Sequence, residues 1–129
     1  MPKVIASIKT DPYKIEIQSP TGNIVMADEP LDKGGKDTGF SPKELLAAAL
    51  SACTSATLRM YIEKHGWEIP EIKVETELTE SEGTSTFERK ITFAAGLADD
   101  QKKRLMAVAN TCPVHKILSG HIEFKTEIL

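Results

Sequence analysis

Polar and apolar residues alternate through the first third of the chain. Residues 4–8 are largely apolar, Tyr13-Lys14-Ile15-Glu16-Ile17 alternates cleanly, and Ile24-Val25-Met26 follows the turn-forming run Ser19-Pro20-Thr21-Gly22-Asn23. A period of two with turn residues between the runs predicts three antiparallel strands. Residues 28–40 carry Pro30, Gly34, Gly35 and Gly39 among charged side chains. That composition has little to bury, and it predicts a mobile loop.

The period then changes. Ser41-Pro42-Lys43-Glu44 combines a Ser N-cap, a Pro at the first helical position and a Glu placed for a capping box. The helix that it opens is predicted to run to about residue 65, roughly 36 Å long, with Gly66 as its C-terminal cap. Leu46, Ala49, Leu50, Cys53, Ala56, Thr57 and Met60 fall on one stripe at three- and four-residue steps. Residues 45–56 are small or apolar nearly all round, which predicts burial on several sides.

Beyond Trp67 and Pro70 the period returns to two. Ile72, Val74, Thr76 and Leu78 alternate with Lys73, Glu75 and Glu77, residues 81–85 turn the chain, and Phe87, Arg89, Ile91 and Phe93 alternate with Glu88, Lys90 and Thr92. A hairpin is predicted, followed by a helix from Ala98-Asp99-Asp100-Gln101 to about Ala109. A short helix from Cys112-Pro113 and a final strand through Ile122, Phe124, Thr126 and Ile128 complete the chain. Strands, long helix, hairpin, helices and strand in that order give an α+β fold class, and residues 1–129 fit one domain.

Composition narrows the function. Apolar residues make up 40% and charged residues 27%, the balance of a globular protein. The longest uninterrupted apolar run, residues 45–50, is far short of the roughly 18 expected of a membrane span. Residues 1–10 lack a signal-peptide layout, so the expected location is the cytoplasm, with no membrane partner. The net charge of −3 and the scattering of Lys and Arg among acidic residues argue against nucleic acid.

Two cysteines stand out, because a thiol pair in a reducing compartment is more often catalytic, redox-active or metal-binding than a structural bridge. Cys53 sits among Ala, Ser, Thr and Leu, where a cysteine behaves as a small hydrophobe unless some group stabilises its thiolate. Cys112 precedes Pro113, which places it as an N-cap whose neighbouring amides favour a thiolate, with His115 one turn on. The plainer reading is a cap substitute beside a solvated histidine. Cys112 and His115 could also be half of a zinc site with Cys53 and His65, although zinc motifs usually arrive as two close pairs. Glu44 is accounted for by its capping box, and Arg59 and Glu63 form an ordinary i,i+4 surface pair.

The segments Ser41-Pro42-Lys43-Glu44-Leu45-Leu46-Ala47-Ala48-Ala49-Leu50-Ser51-Ala52-Cys53 and Asn110-Thr111-Cys112-Pro113-Val114-His115 resemble the two signature stretches of the OsmC/Ohr family. Leu58-Arg59-Met60-Tyr61 is similar to its short, cytoplasmic OsmC-like branch. The resemblance implies an OsmC-like fold and an intertwined homodimer with the long helices at its centre. It further implies a thiol-dependent peroxidase that reduces organic hydroperoxides or hydrogen peroxide. By position, Cys53 matches the cysteine that attacks peroxide, Cys112 the resolving cysteine, and Glu44 an acidic position found in many members. No cofactor is implied beyond an external dithiol reductant. Two positions depart from the Ohr and OsmC pattern. Lys43 stands where a Glu is usual, and no arginine precedes Arg59, so that Lys33 and Lys36, in the Gly-rich loop, are the cations that could reach a site electrostatically in its place. Those departures motivate a second expectation, a non-enzymatic dimeric binding protein for a small apolar or thiol-reactive metabolite on the same scaffold.

Overall fold

Ser41 and Glu44 start the long helix by satisfying each other's backbone. In the computed structural model, which describes all 129 residues, Ser41 N donates to Glu44 Oε1 at 2.8 Å and Glu44 N to Ser41 Oγ at 3.2 Å. The helix, α1, spans Pro42–Lys64. Gly66, at φ +66°, ends it: Gly66 N bonds Glu63 O and Trp67 N bonds Ile62 O, the paired bonds of a Schellman cap.

Strands β1 (Ile5–Ile8), β2 (Ile15–Gln18) and β3 (Ile24–Ala27) form an antiparallel sheet in sequence order, as the alternation predicts. Strands β4 (Ile72–Ser81) and β5 (Thr84–Phe93) form a hairpin whose tip, Glu82-Gly83, has φ > 0 at both residues and so matches the strand twist. Helices α2 (Asp99–Ala109) and α3 (Pro113–Ser119) follow, so the fold is α+β. The chain packs as two compact units, Met1–Leu46 and Ala47–Leu129.

In the first unit the loop after β3 is better held than its composition suggests. Asp28 is buried, and its carboxylate accepts bonds from the amides of Glu29, Lys36 and Thr38 and from Thr38 Oγ1. These donors, the Thr38 hydroxyl foremost, hold the Asp28 carboxyl down at about 2 against a usual 3.8. Gly35 lies against the Glu29 backbone where no Cβ would fit. The segment is the loop that its composition predicts, with a single 3-10 turn, and one carboxylate gathers its backbone where apolar burial cannot.

In the second unit Leu58 and Ile62 of α1 close a core with Ile69, Leu105 and Ala109, flanked by Trp67, Ile72, Ile91 and Phe93. Two expectations change. The buried stripe of α1 is Leu50, Thr54, Leu58 and Ile62, whereas Leu46, Ala49, Ala52, Ala56 and Met60 stay exposed. One apolar stripe is enough to fill the core of this unit, and the other is not part of it. The helix is long and apolar enough by length and mean hydropathy, 1.4, to span a membrane, a property shared with the core helices of soluble proteins. The final strand does not form: residues 120–129 have no regular structure, with Phe124 and Ile128 89% and 98% exposed. The alternation is present, but no strand edge of the same chain pairs with it.

Candidate active site

Cys112 is the N-cap of α3, with Pro113 at the first helical position, as its sequence context predicts. Its backbone is extended, at φ −61° and ψ 139°, and its Sγ accepts the His115 amide proton at 3.3 Å. The side chain is fully buried. Cys53, from α1, is half-buried, and its thiol is one of the groups that lower the pKa of the Cys112 thiol. Both cysteines are free thiols. Folding thus sets side by side two sulfurs that are 58 intervening residues apart in sequence.

Thr54, fully buried, links the pair to its surroundings. Its hydroxyl lies 2.7 Å from Leu50 O and 3.7 Å from Cys112 Sγ. A hydroxyl has one proton, so the shorter contact takes most of it and the sulfur receives a weak bond.

Arg89 completes the centre, and sequence reading had assigned it no role. It lies on the inward face of β5 opposite Thr76, in phase with Phe87, Ile91 and Phe93. Its Nη1 donates to Thr54 Oγ1 at 2.9 Å and Ala109 O at 3.0 Å, and its Nη2 to Asn110 Oδ1 at 3.2 Å and His115 Nδ1 at 2.7 Å. Because a guanidinium only donates, His115 Nδ1 is the acceptor, and the ring proton sits on Nε2. The signal was legible: an arginine on the apolar side of an alternating strand needs a buried or half-buried reason to be there.

Burial pushes the Cys112 thiol up. The His115 amide, with the Thr54 hydroxyl, the Cys53 thiol and the Arg89 charge, outweighs it and leaves the thiol below its ordinary range. An anion is thus favoured at the Cys112 sulfur.

Every group that acts on the Cys112 sulfur comes from the second unit. Glu44 belongs to the first and is engaged with Ser41, whose amide holds its carboxyl below the usual range. Lys36 pairs loosely with Asp11 at 3.6 Å on the surface, and Lys33 ends a 3-10 turn, Leu31–Lys33. His65 stacks on Tyr61 and bonds its carbonyl, and nowhere do three or more His, Cys, Asp or Glu side chains converge as a metal site would require. An open cavity of about 970 Å³ is lined by apolar side chains of β5 and α2, among them Phe87, Ile91, Phe93 and Met106, and by neither cysteine. Arg89 and His115 form part of its wall.

The fold and this centre define a small α+β protein with a paired-thiol site. The chain belongs to the OsmC family: the family model for OsmC-like protein matches residues 34–127. Solved structures agree. A protein from Psychrobacter arcticus 273-4, named for osmotic stress induction and a detoxification response, superposes with a TM-score of 0.79 at 25% identity, over 91% of this chain and 88% of that one. The organic hydroperoxide resistance protein OhrB of Bacillus subtilis gives 0.59 at 25% identity, over 93% and 91%. An OsmC-like protein of Mycoplasma pneumoniae shares the fold at 0.72 and 18% identity, over 93% and 88%. Comparison with curated proteins finds no match.

Proposed function

We propose that this protein is a thiol-dependent peroxidase that reduces organic hydroperoxides or hydrogen peroxide through Cys53 and Cys112. The observation that carries the reading is a buried free thiol, Cys112, biased toward its thiolate by neighbours that include the free thiol of Cys53. The hydroperoxide resistance named for the B. subtilis relative supports the substrate class.

Access and acidity divide the roles. Cys53 is the half-buried thiol that a peroxide can meet, while Cys112 has no exposed surface. The Cys112 thiolate takes the Cys53 proton, and the Cys53 thiolate attacks the nearer peroxide oxygen. The O–O bond breaks, and the departing alkoxide recovers the proton from Cys112 and leaves as an alcohol. Cys53 is now a sulfenic acid. The regenerated Cys112 thiolate attacks its sulfur and expels hydroxide, which takes one solvent proton to become water. An external dithiol reduces the resulting disulfide, returning two electrons and two protons. Glu44 serves this site as the residue that fixes the start of the helix that carries Cys53.

The working form in this reading is a cytoplasmic homodimer. Its support is the uncovered apolar stripe of α1 and the exposed, alternating C-terminal tail, more apolar surface than a monomer usually leaves in water.

Cumene hydroperoxide supplied with dithiothreitol is expected to be consumed by the purified protein and not by Cys53→Ser. One equivalent of peroxide, without reductant, is expected to give an intramolecular Cys53–Cys112 disulfide readable by mass. No turnover of any hydroperoxide by protein with both thiols intact would refute the reading. The apolar cavity favours a second one, a binding protein for a small apolar metabolite. Ligand recovered with the purified protein, together with thiols that stay reduced in peroxide, would select it.

A further inference from the structure

We infer that Arg89 is the positioning cation of the Cys53/Cys112 centre, tied to it through Thr54 and His115 and favouring an anion there. The inference deepens the thiol reading above and concerns the same site.

Arg89 is half-buried, on the apolar side of β5, and no carboxylate lies within ion-pairing distance of it. All its side-chain contacts are to neutral acceptors: Thr54 Oγ1, Ala109 O, Asn110 Oδ1 and His115 Nδ1. Those four bonds use the four Nη protons and leave the charge itself uncompensated. A half-buried guanidinium with only neutral acceptors is left able to favour a nearby anion, and the anion that the site can supply is a thiolate.

The geometry of the fork fits that task. Thr54, one residue from Cys53, contacts the Cys112 sulfur, and His115 gives its amide to the same sulfur. Arg89 therefore ties α1 and α3 together through two residues that each touch the thiol centre. The titratable or charged residues that act on the Cys112 sulfur are Cys53 from α1, Arg89 from β5 and, through its amide, His115 from α3. The charge of Arg89 acts on the thiols while its hydrogen bonds position them, so it is a positioning residue rather than one that touches peroxide.

The test is thiolate formation, followed by ultraviolet absorbance against pH on the reduced, full-length protein without peroxide. In the native protein one thiol is expected to ionise clearly below the ordinary midpoint of about 8.5. Arg89→Gln is expected to raise that midpoint by about half a unit, roughly a threefold loss of thiolate at neutral pH. Arg89→Lys, which keeps the charge and loses the fork, is expected to retain most of the native midpoint. A native midpoint at the ordinary value overturns the inference even if Arg89→Gln fails to fold. So does a folded Arg89→Gln variant with an unchanged midpoint, or an Arg89→Lys midpoint displaced as far as that of Arg89→Gln. Because no peroxide is present, a protein with the expected midpoints and no turnover would sink the peroxidase reading and leave the Arg89 inference standing.

Discussion

Replacing Thr54 with Val keeps the side-chain shape and removes the hydroxyl that joins the core to the thiol centre. Leu50 O loses only a side-chain donor, since its own helical bond to the Thr54 amide remains. Arg89 Nη1 loses the acceptor at 2.9 Å and keeps Ala109 O at 3.0 Å, so one N–H of a half-buried cation is left without a partner. That costs about 1–3 kcal/mol. Burying a methyl in place of the hydroxyl returns up to about 0.8 kcal/mol. The expected net loss is about 1–2 kcal/mol. For 129 residues the unfolding entropy is roughly 0.27 kcal/mol/K, so Tm falls by about 4–7 °C. Urea titration followed by the fluorescence of Trp67, the one tryptophan, measures the loss, since Trp67 packs against the core that α1 closes. The ionisation midpoint of the thiol pair is expected to rise in Thr54→Val and to stay in place in Thr54→Ser, which keeps the oxygen. A Val variant as stable as the native protein, or equal midpoints in Val and Ser, would refute the link between Thr54, Arg89 and the sulfur.

Leu58→Ala, at a fully buried position, is expected to cost about 3–4 kcal/mol through lost transfer energy and the cavity left behind, read as a lower urea midpoint with the m-value unchanged. Asp28 has a folded pKa below its unfolded one, so its contribution is complete above about pH 4 and is lost as pH falls toward 2. Stability measured at pH 5 and pH 2.5 should therefore differ less in Asp28→Asn than in the native protein. Ala56→Arg places a charge on the uncovered stripe of α1, and sedimentation is expected to show a dimer in the native protein and a monomer in the variant; a native monomer would refute the proposed assembly.

The sequence by itself determined most of the local structure. The capping box at Ser41 and Glu44, the Gly66 terminator, the Cys112-Pro113 helix start and the period-two runs of the hairpin are short-range instructions, satisfied by neighbours in the chain. What it could not settle was anything that needed a partner from far away. Alternation through Ile122 and Ile128 marks a strand, but a strand requires an edge to pair with. The small-residue run of α1 marks burial without saying which face meets the core.

The thiol centre divides the same way. Local context placed Cys112 at a helix start, and the resemblance between signature stretches singled out Cys53. Arg89 was visible only as an arginine out of character with its strand. Its partners sit 35, 20, 21 and 26 residues away at Thr54, Ala109, Asn110 and His115. A sulfur's acidity is the sum of burial, amide donors and charge over a few ångströms, and tertiary structure alone decides which residues share those few ångströms.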